Sequence, residues 1–130
     1  MRDLVTIITP MYNSEKYIEL TIQSVRDQTY QNWEMIIVDD ASKDRSKSIV
    51  NRLMKSDSRI KLHSLKKQMG PANARNYAIQ SAQGRYLAFL DSDDIWLSEK
   101  LYKQINFMET GGYPFSFTAY QKIDEFGKEI

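Results

Sequence analysis

The sequence predicts an α/β protein, a three-layer α/β/α sandwich in which a mostly parallel sheet carries helices on both faces. Three observations predict it. Short β-branched apolar runs alternate with segments whose apolar residues recur at helical spacing; that alternation repeats along the chain; and carboxylates gather where two of the runs end. The 130 residues suit one ordinary domain with a real core.

Leu4 to Thr9 reads as the first strand, stopped by Pro10, with Asn13 and Ser14 placed to cap a helix from Ser14 to Gln28. Ile18, Ile22 and Val25 give that helix its apolar face. The second strand is Glu34 to Val38 and ends in Asp39 and Asp40. Ser42 and Asp44 offer caps to a helix carrying Ile49, Val50, Leu53 and Met54, and Ile60 to Leu65 alternates as a third strand. Pro71 suits a first helical position, Ala74, Tyr77, Ala78 and Ala82 continue the helix, and Gly84 suits its C-terminal cap. Tyr86 to Leu90 then reads as a buried strand ending in Asp91, Asp93 and Asp94. Ser98 caps a last helix with Leu101, Tyr102, Ile105 and Met108 on one face, which Gly111 and Gly112 break. Phe115 to Tyr120 alternates as a fifth strand, and the turn-prone 124–127 segment starts a hairpin.

Composition narrows the function. A content of 42% hydrophobic and 27% charged residues is that of a soluble globular protein, and a net charge of +1 offers no field for nucleic acid. The absence of cysteine removes disulfides and thiolate zinc sites and leaves the cytosol as the easiest compartment. The start, Met1-Arg2-Asp3, leads into a short run that Pro10 interrupts, so neither a membrane span nor a signal peptide is read here.

In an open parallel sheet, ligands bind beyond the carboxyl ends of the strands. The first strand delivers Thr9, Pro10, Tyr12 and Asn13 to that edge, the second Asp39 and Asp40, the helix near Gly70 Arg75, and the fourth Asp91 to Asp94. An aromatic face can stack a base, a carboxylate can accept from base N–H or ribose hydroxyls, and an arginine can pair with phosphate. The three acids after the fourth strand repel one another unless a hard divalent cation sits among them. Singly, each piece has an ordinary reading: Tyr12 as packing, Asp39 and Asp40 as turn caps, Arg75 as a solvated charge, Asp94 as a turn residue. His63 gets a structural reading. A calcium EF-hand opening at Asp91 would need glycine at Trp96 and glutamate at Tyr102, and the glycine-rich loops of dinucleotide and P-loop folds are missing after the first strand.

Taken in order, four segments resemble the nucleotide-sugar half of a family-two glycosyltransferase with the Rossmann-like GT-A nucleotide-diphospho-sugar transferase fold. They are 5–13; Ser24-Val25 with 28–42; Gly70 with Ala74-Arg75-Asn76; and 84–94. The resemblance implies that Thr9, Pro10, Tyr12, Asp40, Arg75 and Asp91 bind the nucleotide sugar, with Tyr12 stacked on the base and Asp40 reading a base N–H, which favours uracil. It implies that Asp93 binds Mn²⁺ or Mg²⁺, which offsets charge on the departing diphosphate. One such charge pair about 4 Å apart is worth about 4 kcal/mol at an effective dielectric of about 20. The resemblance further implies inversion in a single displacement and a saccharide or lipid-linked acceptor. The setting it implies is bacterial surface polysaccharide synthesis in the cytoplasm or at the inner face of the membrane. The catalytic base of such enzymes lies in an acceptor-binding half. Glu125 and Glu129 are poor substitutes, so residues 1–130 read as one nucleotide-sugar-binding domain truncated before that half. The loop Lys66 to Met69 departs from the family, which often has asparagine and more glycine there. The alternative reading is a catalytically incomplete nucleotide-sugar-binding fragment or module.

Overall fold

The computed structural model describes residues 3–130; Met1 and Arg2, the head of the expected lead-in to the first strand, lie outside them. The elements run β1 (Val5–Met11), α1 (Ile18–Arg26), β2 (Trp33–Asp39), α2 (Ser46–Met54), β3 (Ile60–Ser64), α3 (Pro71–Gln80), β4 (Tyr86–Phe89) and α4 (Lys100–Gly111). All four strands are parallel, in the order β3-β2-β1-β4. Right-handed crossovers dictate the layers. The chain steps from β1 to β3 in one direction, which puts α1 and α2 on one face, and then crosses back to β4, which puts α3 on the other.

The two cores follow from strand parity. Val5, Ile7 and Met11 of β1, with Met35 and Ile37 of β2, pack against Ile18, Ile22 and Val25 of α1, Val50 and Leu53 of α2, and Leu101 and Ile105 of α4. The opposite parity, Ile8, Ile36 and Val38, meets Ala74 and Ala78 of α3. Small residues on α3 let it lie close to the sheet. β1 and β2 are buried along their whole length, which is why they read as unbroken apolar runs.

Several boundaries differ from expectation for physical reasons. α1 begins at Ile18, not Ser14, because the Ser14 carbonyl accepts the N–H groups of Tyr17 and Ile18 in a separate turn and no side chain caps the helix. α3 ends at Gln80 with Ser81 as its cap, so Gly84 is not a cap. A Cβ at Gly84 would stand 2.6 Å from the Thr6 N and 2.8 Å from the Leu4 carbonyl, so glycine is required by close approach to β1. β4 is not buried on both faces: it is an edge strand with Leu87 and Phe89 43% and 54% exposed. Ser98 does not cap α4, which opens after Glu99, and Tyr102 is exposed because only the narrow Leu101/Ile105 stripe faces the core. Residues 115–120 form no strand, having no strand beside them to pair with. The turn after them does form, with the Gly127 N–H on the Asp124 carbonyl at 3.0 Å and an antiparallel bridge between Ile123 and Glu129. Asp44 does serve the start of α2, accepting the Ser46 N–H at 2.9 Å. His63 stacks edge-on to Tyr77 with centroids 5.5 Å apart. Among the described residues no helix is long and apolar enough to cross a membrane.

The amino end of the sheet is fastened by Glu34, which is 4% exposed. Its carboxylate accepts the Thr6 hydroxyl at 2.7 Å, the Lys61 ammonium at 2.7 Å and the Gln83 N–H at 2.8 Å, joining three strands and the loop into β4. Burial pushes this carboxyl up, but the bonds from Lys61, Gln83 and Thr6 outweigh it and hold the group below the usual glutamate range. A depressed folded-state value means stability that is present above the unfolded-state value and lost as pH falls through the folded one. Glu34→Gln is expected to lower neutral-pH stability by about 1–3 kcal/mol. In denaturant melts the gap between variant and parent should close on acidification.

Candidate functional site

β1 pairs with β2 as far as Met11 but with β4 only as far as Ile8, whose carbonyl takes the Leu90 N–H at 3.0 Å. Pro10, two residues on, faces the same side as Ile8 and has no N–H to offer, so the ladder stops there. A cavity of ≈ 460 Å³ fills the parting, at the point where strand order reverses. That volume is in the small-molecule range.

Each wall is built by a loop that another loop holds. Asn13 adopts a left-handed backbone (φ 48°), which asparagine tolerates. Its N–H donates to the Ser42 hydroxyl and its side-chain oxygen accepts the Lys43 N–H, both at 2.9 Å, tying the loop after β1 to the loop after β2. Ala41 is also left-handed, at φ 62°, next to Asp40. Asp40, 3% exposed, accepts the Met69 N–H at 2.7 Å on one oxygen and the Gly70 N–H at 2.9 Å on the other. Those bonds and Gly70 at φ 92° set the start of α3, with Pro71 in its first turn, and so place Arg75. Each Asp40 oxygen keeps a further lone-pair site.

Pro10, Tyr12, Asp40, Arg75, Asp91 and Asp93 all line this one cavity. Thr9 does not. Its parity points it into the α1 side of the sheet, where it is fully buried and its hydroxyl has no partner among the described residues. Tyr12 is 39% exposed, enough to offer a ring face. The Arg75 guanidinium pairs with an Asp91 oxygen at 3.0 Å. Asp93 carries no hydrogen bond or ion pair among the described residues. Asp94 lies outside the lining, its N–H closing a turn on the Asp91 carbonyl at 3.1 Å. Burial, then the neighbouring Asp93 and Asp91 charges, push the Asp94 carboxyl above the usual range.

Asp91 and Asp93 are oxygen donors of the kind a hard divalent cation takes. Among the described residues no three acids or histidines converge into a cage. One free carboxylate in a crowded acidic loop suits magnesium or manganese, which complete their shells with waters and the phosphates of a bound ligand. Sequence reading did not pick out Ser14, Tyr17, Gln68 or Ser92 as lining residues. Ser92, flanked by acids, resembles an ordinary turn serine; its contact with Ser14, hydroxyl to hydroxyl at 2.5 Å, spans 78 residues and leaves no local signal.

Asp40→Asn keeps one acceptor oxygen for two backbone donors. We expect amide exchange to accelerate at Met69 or Gly70, with a stability loss of about 1–3 kcal/mol by denaturant titration.

Three comparisons bear on this site. The profile of "Glycosyl transferase family 2" matches residues 6–129. TuaG of Bacillus subtilis (strain 168), whose name assigns it to teichuronic acid biosynthesis, is 49% identical over 129 residues, 99% of this chain and 51% of its own. The Escherichia coli UDP-Glc:alpha-D-GlcNAc-diphosphoundecaprenol beta-1,3-glucosyltransferase WfgD is 47% identical over 121 residues, 93% of this chain and 47% of its own. The chain thus spans about half the length of these two relatives. Among solved structures, the mannosyltransferase PcManGT of Pyrobaculum calidifontis in complex with GDP-Man and Mn²⁺ superposes with a TM-score of 0.78 at 28% identity. The match covers 83% of this chain and 33% of that one.

Proposed function

Because the chain belongs to glycosyl transferase family 2, we propose that the cavity between β1 and β4 binds a nucleotide-sugar donor. The protein then transfers the sugar to a saccharide or lipid-linked acceptor with inversion. The observation that carries this reading is the convergence of an aromatic ring, three carboxylates and one guanidinium on a single cavity at the sheet's switch point. WfgD, whose name gives UDP-Glc as donor and a diphosphoundecaprenol-linked acceptor, supports both substrate classes.

In this reading Tyr12 stacks on the base. A free lone pair of Asp40 accepts a base N–H, which suits uracil. Asp91 accepts ribose hydroxyls, and Arg75, beside it, reaches the diphosphate. Against a diphosphate the lining is poorly matched, since Asp40, Asp91 and Asp93 outnumber Arg75. Asp93 would hold Mn²⁺ or Mg²⁺, which supplies Lewis-acid stabilisation of the leaving diphosphate. The Mn²⁺ bound to PcManGT supports the use of a divalent metal. Displacement from the opposite side of the sugar needs a base at the acceptor hydroxyl. Glu125 and Glu129 do not line the cavity. A donor-binding module without transfer is therefore the second reading, with residues 1–130 as the donor-binding part.

Calorimetric titration tests the proposal. UDP is expected to bind at least tenfold more tightly with Mn²⁺ than without, GDP more weakly than UDP, and Asp93→Ala to remove the metal dependence. Equal, metal-independent binding in parent and variant would overturn it.

A further inference from the structure

α1 presents two stripes. One is the apolar set that meets the sheet; the other is Thr21 and Ser24, a polar row that Gln28 extends two residues past the helix end, spaced three and four residues apart and all buried. This polar row grips the segment between β4 and α4. The Gln28 side chain donates to the Leu97 carbonyl at 2.7 Å and accepts the Leu101 N–H at 3.0 Å. The Ser24 hydroxyl accepts the Trp96 N–H at 3.2 Å and donates to the Thr21 carbonyl at 2.7 Å. Thr21, with no exposure at all, reaches furthest toward the cavity. Its hydroxyl lies 3.1 Å from the Ser92 carbonyl and 2.8 Å from the Asp94 carbonyl, the backbone oxygens on either side of Asp93.

We propose that Thr21 is a positioning residue that aims the Asp93 carboxylate into the cavity for a divalent cation. The inference rests on the donor-binding reading above. Asp91, Asp93 and Asp94 repel one another, so a loop held only by its own turn would spread. One hydroxyl shared between these carbonyls holds the Ser92–Asp93 and Asp94–Ile95 peptide planes, which bracket Asp93, while the Asp94 N–H on the Asp91 carbonyl holds the plane between them; the Asp93 side chain is left free of partners among the described residues. On the cavity side, the Ser92 hydroxyl contact with Ser14 holds the same loop against the end of β1. Ser24 and Gln28 secure the loop only beyond Asp94, so their removal affects stability without re-aiming Asp93.

The test compares Thr21→Val, which keeps the volume and the β-branch but loses the hydroxyl, with Thr21→Ser and Gln28→Met. Read out are the Mn²⁺ midpoint for UDP binding, metal-free uridine binding, thermal stability, and metal-free amide exchange at Asp93 and Asp94. Thr21→Val is expected to raise the Mn²⁺ midpoint at least fivefold, keep uridine affinity within twofold and speed exchange at Asp94. Thr21→Ser should restore the parent midpoint. Gln28→Met should lower the melting temperature but leave the midpoint within twofold. Should the valine variant not fold, Thr21→Ala is read the same way. An unchanged midpoint in Thr21→Val, or an equal shift in Gln28→Met, overturns the inference alone. A parent chain that binds UDP equally with and without Mn²⁺ overturns the donor-binding reading as well.

Discussion

A parallel ladder holds two strands together only while each residue pair can exchange backbone bonds, and between β1 and β4 that exchange ends at Ile8. β1 continues beside β2 for three more residues, through a proline that has no N–H for the β4 side. The sheet therefore opens on one side of β1 while staying closed on the other. The reversal of strand order falls at the same place, so the loops from β1, β2 and β4 and the start of α3 all converge on the opening. Had β4 stayed paired through Met11, Asp91 would lie against the ladder and no cavity would separate it from Tyr12.

The walls are fixed by bonds from loop to loop. Asn13 holds the segment after β2, Asp40 holds the segment before α3, Arg75 holds Asp91, and Thr21 holds the backbone around Asp93. Asp40 and Thr21 are buried, and buried groups that are paired make such an arrangement stiff, whereas the Asn13 and Arg75 contacts are exposed and hold more loosely. What remains unpaired is then informative: among the described residues Asp93 is the lining carboxylate without a partner, while burial, then the neighbouring Asp93 and Asp91 charges, raises the Asp94 carboxyl. A site prepared in this way has geometry supplied by the protein and charge compensation supplied by what binds.

Legibility in the sequence tracked the range of the physics involved. β1 and β2 read clearly because burial on both faces forces continuous apolar runs, and Pro71 and Gly70 marked the start of α3 through backbone preferences alone. The acid cluster stood out because three acids in four positions after an apolar run are hard to explain by capping alone, and two of them, Asp91 and Asp93, line the cavity. What failed to read depended on distant partners. Ser14 looks like a helix cap, but its N–H is taken by Ser46 and its hydroxyl by Ser92. Gly84 looks like a C-cap but serves a close approach to Thr6. Thr9 belongs to a strand whose parity turns it away from the cavity, and the alternating 115–120 segment had no strand to join. Thr21 and Ser24, with Gln28 just past the helix end, were hidden because a polar row along a helix ordinarily means solvent, whereas here it meets a loop.

The central claim is that the parting between β1 and β4 is where a nucleoside diphosphate and a divalent cation meet, with Asp93 on the cation. A crystal structure of the chain with UDP and Mn²⁺ tests it most directly. The account predicts an anomalous manganese peak in bonding contact with the Asp93 carboxylate and the diphosphate, with the uracil against Tyr12. Manganese bound away from Asp93, or UDP seated outside the cavity, would contradict it.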